Sequence, residues 1–177
     1  WAFTVAALLW VYLGIQKGQV TQDGLTGLNN RRRLDQYMWE LDERSGERET
    51  CCYLLMDVNK FKKVNDTYGH VTGDEVLRLV AEQLKRTFGN MQAFLARYGG
   101  DEFVVIVKGK TQDEMDVIIH QTQENVNAIA WGADTPWQLS ISIGCAMRGE
   151  QGKQKSHELL ALADERMYRQ KKGIQDR

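Results

Sequence analysis

The most constraining stretch of this chain is Cys51-Cys-Tyr-Leu-Leu-Met-Asp-Val58, where six apolar residues run without alternation into a carboxylate. A run of that length bounded by polar segments predicts a buried central strand, with Asp57 at its end. As a strand it sends Cys51 and Cys52 to opposite faces. The flanking segments alternate between helical and strand patterns. Residues 29 to 44 carry Leu34, Met38 and Leu41 at helical spacing, and Phe61 to Tyr68 is a short helix broken by Gly69 and Gly73. Leu77, Val80, Ala81, Leu84 and Phe88 mark a longer amphipathic helix ending near Gly89.

Residues 93 to 107 place two apolar runs around Tyr98-Gly-Gly-Asp-Glu102 and predict a β-hairpin with the glycines in its turn. Thr111-Gln-Asp-Glu114 is a capping box that opens another helix. Trp137 to Met147 is expected as a strand, and a last helix starts at Ser156 with Leu159, Leu162, Ala163 and Met167 inside. The hairpin requires an antiparallel pair, so the expected fold class is α/β (α+β). It is a mixed, largely antiparallel central sheet with helices on one face, ferredoxin-like or palm-type rather than doubly wound. No GxGxxG or GxxxxGK[ST] motif opposes this.

With 177 residues and 42% hydrophobic content, the chain supports one principal domain. Lys plus Arg of 23 against Asp plus Glu of 24 leaves no basic excess, so nucleic acid is not an expected partner and any phosphate site is local. Cys51, Cys52 and Cys145 are odd in number and lack CxxC spacing, against a zinc site or a disulfide framework. A reducing compartment fits them.

Residues 1 to 16 are a separate matter. Trp1 to Ile15 is apolar apart from Thr4 and Gly14, shorter than the ~20 residues of a bilayer span but suited to be the second half of one. Trp10 and Tyr12 fit an interfacial belt, and Lys17 with Arg31, Arg32 and Arg33 would hold the following domain, residues 17 to 177, on the cytoplasmic side. The expectation is therefore a membrane partner through the N-terminal segment and a cell-membrane location, with the following domain on the cytoplasmic side. A packed or oligomerising helix is the alternative.

Asp57 closes one apolar run, and Asp101 and Glu102 stand between two more. If these strands are neighbours, Asp57 and Asp101 meet, and two carboxylates that meet call for a bridging cation; on spacing alone, solvated turn acids are the stronger reading. Oxygen-only ligands point to Mg²⁺ or Mn²⁺ and to phosphoryl transfer, since Mg²⁺ is commonly held by one or two carboxylates plus substrate phosphates. Lys60-Phe61-Lys62-Lys63 opens a helix beside these acids, where backbone N–H groups and ammonium charges suit an anion. Asn65 and Asp74 offer the amide and carboxylate that recognise a guanine edge. His70 lies in the adjoining Tyr-Gly-His loop.

Gly99-Gly-Asp-Glu-Phe103 is the GGDEF signature, and the chain resembles the GGDEF-domain diguanylate cyclases, which join two GTP into cyclic di-GMP. Asp23-Gly-Leu-Thr-Gly-Leu-Asn-Asn-Arg31, the segment Asp57 to His70, Gly73-Asp74, Ser140 to Gly144 and Ala163 to Tyr168 follow the family's order, covering about residues 21 to 172. The resemblance implies metal ligation by the Asp57 side chain, the Val58 carbonyl and the Asp101 side chain. It implies Asp101 as proton acceptor for the 3′-hydroxyl, with Glu102 assisting metal or base. Substrate contacts are implied for Asn65, Asp74, His70, Phe61, Gly99 and Gly100, and charge stabilisation near the phosphates for Lys62 and Lys171. The family's reaction needs two half-sites facing each other, so a homodimer is implied.

Three departures from the family pattern stand out. The Arg-x-x-Asp product-inhibition motif is replaced by Asn90 and Ala93, so feedback at that site is expected to be absent. Gln175 stands where a phosphate-binding arginine is usual, and Asn59 and Lys60 where an acid and an aromatic are frequent. These changes motivate the alternative of a catalytically silent GTP-binding or scaffold module.

Overall fold

The computed structural model describes residues 3–6, 21–44, 50–131, 137–149 and 154–175. Residues 1 and 2 and 7 to 20 lie outside it, and with them most of the segment read as part of a membrane span. Among the described residues no helix is long and apolar enough to cross a membrane.

Helix α1 (Arg31–Glu43) starts where the Asn30 side chain accepts from the Arg33 N–H, and it buries Leu34, Met38 and Leu41. Strand β1 (Cys51–Val58) is buried at every position. Helix α2 (Phe61–Tyr68) follows a sharp entry in which Lys60 takes the left-handed conformation at φ 58°, and it stops at Gly69, φ 84°. Helix α3 (His70–Phe88) begins at once and includes Gly73 rather than breaking there. The reason is steric, for a Cβ on Gly73 would lie 1.9 Å from Asn65 Oδ1, so this glycine allows α2 and α3 to close on each other. Strands β2 (Ala93–Arg97) and β3 (Glu102–Lys108) form the expected hairpin. Helix α4 (Gln112–Asn127) carries the Thr111–Glu114 capping box.

Strand β4 (Ile141–Met147) is shorter than expected. Its anticipated first residues make other bonds instead: the Trp137 carbonyl accepts from Trp131 Nε1, just beyond α4, and Gln138 Nε2 donates to the Asn127 carbonyl at the end of α4. Helix α5 (Ser156–Gln175) completes the chain.

The strands form one sheet in the order β2-β3-β1-β4, antiparallel at every neighbour, with a single parallel bridge between Asn29 and Ala96. This is the ferredoxin-like order with both crossover segments on one face. There Cys52, Leu54, Met56, Phe103 and Val105 pack with Val64 of α2, Leu77 and Leu84 of α3, and Met115 and Val126 of α4. The expectation of helices on one face alone is corrected: α1 and α5 cover the other, where Tyr53, Leu55, Val104 and Ile106 meet Leu34, Met38, Leu159 and Met167. A strand apolar at both parities leaves no face for water, so each face needs its own helical layer. Cys51 and Cys52 fall in different cores accordingly.

Contacts at three places fix α5 and the edge of β4. Gly144 of β4 lets the helix approach so closely that a Cβ there would lie 1.8 Å from the Ala163 carbonyl oxygen. Along the outer edge of β4, Gln123 donates to the Ile141 carbonyl, Gln170 accepts from the Ile143 N–H, and Arg166 donates to the Cys145 carbonyl. Side chains thus occupy an edge that would otherwise be open to pairing with another strand. At the far end, buried Arg148 donates to Asp42 Oδ1 at 2.6 Å and to Ser156 Oγ at 3.0 Å, while Asp42 accepts from Ser156 N–H.

Candidate active site

The sheet register brings the candidate acids together. Asp57 faces Glu102 across β1 and β3, and the Val58 N–H donates to the Asp101 carbonyl at 3.2 Å. Asp57 has the parity of Tyr53 and Leu55, which directs it toward α5. Its carboxylate accepts from Lys171 Nζ at 2.6 Å. Asp57 is only 6% exposed, so it is no solvated turn acid.

Asp101 and Glu102 crowd this corner with negative charge. Burial raises the Asp101 carboxyl above the ordinary range, and the Asp57 charge raises it further against the pull of Lys171 and Arg97. Glu102 is raised by burial and then by Asp57, Asp101 and Asp164. Gly99 and Gly100 shape the turn: a Cβ on Gly99 would lie 2.6 Å from Glu102 Oε2, and the Tyr98 and Gly99 N–H groups both reach the Glu102 carbonyl.

A clamp that the sequence reading missed holds this turn from outside. Arg97 donates through Nε and Nη2 to the Gly100 carbonyl, at 3.2 and 2.7 Å, and through Nη1 to both oxygens of Asp23 at 3.2 Å. Burial opposes ionisation of Asp23, but hydrogen bonds from Thr26 and the Arg97 charge prevail, and its carboxyl lies below the usual range. An arginine two residues before a glycine turn was the available signal. Asn59, singled out only as a departure, joins β1 to β4 by donating to Ser140 Oγ and accepting from Ser142 Oγ.

The remaining candidates lie on α2 and the start of α3. Asn65 packs against Gly73, and its Oδ1 is buried without a hydrogen-bond partner. Such an atom is costly to leave unpaired and suits a ligand donor. Phe61 is half-buried beside Gly73, whereas Lys62, His70 and Asp74 are exposed. Gln175 lies in the last described turn of α5.

For a divalent cation the donor set fits. Among the described residues no three His, Cys, Asp or Glu side chains form a cage of their own. Mg²⁺ does not require one, because it takes one or two carboxylates and fills its octahedron with water and phosphate oxygens. The raised pKa values of Asp101 and Glu102, and a lysine drawn onto Asp57, show a corner that demands positive charge.

Comparison with known proteins identifies the family. The family model described as diguanylate cyclase, GGDEF domain, matches residues 20–177, and the chain belongs to that family. It is 34% identical over 161 residues to the diguanylate cyclase DosC of Escherichia coli strain K12, covering 87% of this chain and 34% of that protein. It is 28% identical over 167 residues to the diguanylate cyclase DgcP of Pseudomonas aeruginosa, covering 94% and 25%. The chain thus spans between a quarter and about two fifths of the curated relatives it matches. The coiled coil and GGDEF domain of DgcB from Caulobacter crescentus, solved in complex with c-di-GMP, superposes with a TM-score of 0.81 at 28% identity, covering 97% and 91%. The GGDEF domain of DgcB alone gives 0.80 at 31% identity, covering 88% and 92%.

Proposed function

We propose that this chain is an active diguanylate cyclase domain that joins two GTP molecules into cyclic di-GMP and releases two pyrophosphates. The observation that carries the proposal is the meeting of Asp57, Asp101, Glu102 and Lys171 at the end of the central strands. Each domain would bind one GTP. Asn65, with its unpaired buried oxygen, and Asp74 would receive the guanine edge, with Phe61 and His70 beside them. Lys62 and Lys171 would face the phosphates and take up charge as pyrophosphate leaves.

Asp57, the Val58 carbonyl and Asp101 would hold Mg²⁺ or Mn²⁺, which when bound polarises the phosphate under attack and lowers the pKa of the attacking hydroxyl. Asp101 would take the 3′-hydroxyl proton, and a carboxyl raised above its ordinary range is a stronger base for that task. Glu102 would assist from the adjoining strand position. Since each half-site supplies one nucleotide, the active form in this proposal is a homodimer whose two turns face each other.

The proposal extends to location. Residues 1 to 16, apolar and followed by basic residues, would end a membrane-crossing helix that places this output domain in the cytoplasm of a bacterial cell. Recovery of the full-length protein in the detergent-soluble membrane fraction supports this, and its release by salt alone opposes it.

The test of function is incubation with GTP and Mg²⁺, with product identified by mass. Cyclic di-GMP and pyrophosphate in a ratio of one to two, absent with Asp57→Ala, support the proposal. Tight GTP binding without turnover, even in a forced dimer, would favour the silent module that Gln175 motivates.

A further inference from the structure

Lys171 gives Asp57 its one side-chain hydrogen bond among the described residues, with Nζ 2.6 Å from Oδ1. The pair is well shielded, the Asp57 side chain being 9% exposed and that of Lys171 29%. Asp101 and Glu102 lie within electrostatic reach of the same ammonium, which draws both of their pKa values down against the opposing effect of burial. One lysine therefore supplies a single positive charge to a corner that holds three carboxylates.

An ammonium this close to the oxygen that a divalent cation would bind repels that cation strongly where solvent screening is weak. The two cannot share Oδ1, and a cation on Oδ2 would still lie within a few ångströms of the same ammonium charge. Lysine has a flexible four-carbon stem and a compact charge that follows the strongest anion in reach. A nucleotide triphosphate arriving beside α2 supplies such an anion.

We propose that Lys171 is a resident competitor for the divalent cation at Asp57, released when the phosphates of a bound nucleotide draw it away. This rests on the reading of Asp57 as a cation ligand given above. Cation and nucleotide then bind as a linked pair: the nucleotide frees Asp57 for the metal, and the metal leaves Lys171 to the phosphates. Without nucleotide, cation affinity is reduced to the fraction of molecules in which Asp57 is free of the lysine.

Mn²⁺ binding to the full chain without nucleotide, followed by the paramagnetic resonance signal of free Mn²⁺, tests the idea directly. Lys171→Met is expected to bind Mn²⁺ about tenfold or more tightly than the unaltered protein, because the competing fraction is removed. Lys171→Arg, which keeps the charge, is expected to stay near the unaltered value. A non-hydrolysable GTP analogue is expected to tighten Mn²⁺ binding to the unaltered protein and to change it far less in Lys171→Met.

Lys171→Gln repeats the measurement with a polar side chain, and melting curves report whether each variant is folded. Asp57→Asn combined with Lys171→Met is expected to lose the added affinity, which locates it at Asp57. Equal or weaker Mn²⁺ binding in both neutral variants overturns the inference. Cyclic di-GMP formation by the unaltered protein would leave the functional proposal standing in that case, so the two failures are separable.

Discussion

Asp101 illustrates a conflict between stability and chemistry within one side chain. Its folded-state pKa is raised, so the ionised form is disfavoured by folding; the stability it contributes is present at low pH and lost as pH rises through that raised value. At neutral pH, without a bound cation, Asp101→Asn is expected to melt at an equal or higher temperature than the unaltered chain. Its cyclase activity is expected to fall by at least ~100-fold, the lower end of what a positioned base supplies. Asp23 behaves in the opposite sense. Its pKa is lowered, so its stabilisation is present above the unfolded value and lost as pH falls through the folded one. Asp23→Asn is expected to cost about 1–2 kcal/mol at neutral pH, as for a lost charge-assisted hydrogen bond, with the difference closing as the solution is acidified. Urea titrations at several pH values check both substitutions.

The meeting of Asp57 with Asp101 was only partly legible: each acid closes or joins an apolar run, but spacing alone favoured solvated turn acids until the sheet register placed them together. Lys171 as partner of Asp57 was not legible from spacing, since 114 residues separate them. Only the family resemblance drew attention to it. The Asp23–Arg97 pair spans 74 residues and escaped for the same reason.

Among the elements, α5 determines whether the site assembles, because it carries Lys171 to Asp57 from a start some fifteen residues earlier. Gly144→Ala would drive a methyl into the α5 backbone at Ala163, a contact no rotamer change relieves. A loss of about 3 kcal/mol is expected, the upper end of ordinary overpacking, together with weakened nucleotide binding as α5 is displaced. Calorimetric melting and GTP titration read the two effects. Asp42→Ala would leave Arg148 buried without its charged partner at the other end of the same helix, for an expected cost of about 3–5 kcal/mol.

The elements themselves were mostly legible. Continuous apolarity marked β1, helical spacing marked α1 and α3, and the glycine turn marked the hairpin. Three features escaped. Gly73 was read as a breaker because its role is close packing against Asn65. The start of β4 was placed too early because Trp137 bonds to Trp131 and Gln138 to the end of α4 rather than to a strand. The second helical layer was overlooked although a strand apolar at both parities already required it.

For the whole molecule, the fold bears on the proposal that one domain holds half of the chemistry. The order β2-β3-β1-β4 puts the acidic turn at an end of the sheet, with α2 and α3 on one side and α5 on the other. Such a corner can cradle one nucleotide and present its turn to a second copy. The central claim, a cyclase complete only as a pair of domains, is tested most directly by cyclic di-GMP formation per chain across a dilution series at saturating GTP and Mg²⁺. The account predicts that the rate per chain rises with protein concentration toward a plateau, and that Asp101→Ala gives no product at any concentration. A rate per chain that is constant down to concentrations where sedimentation shows only monomer, or GTP binding with no product throughout, would contradict it.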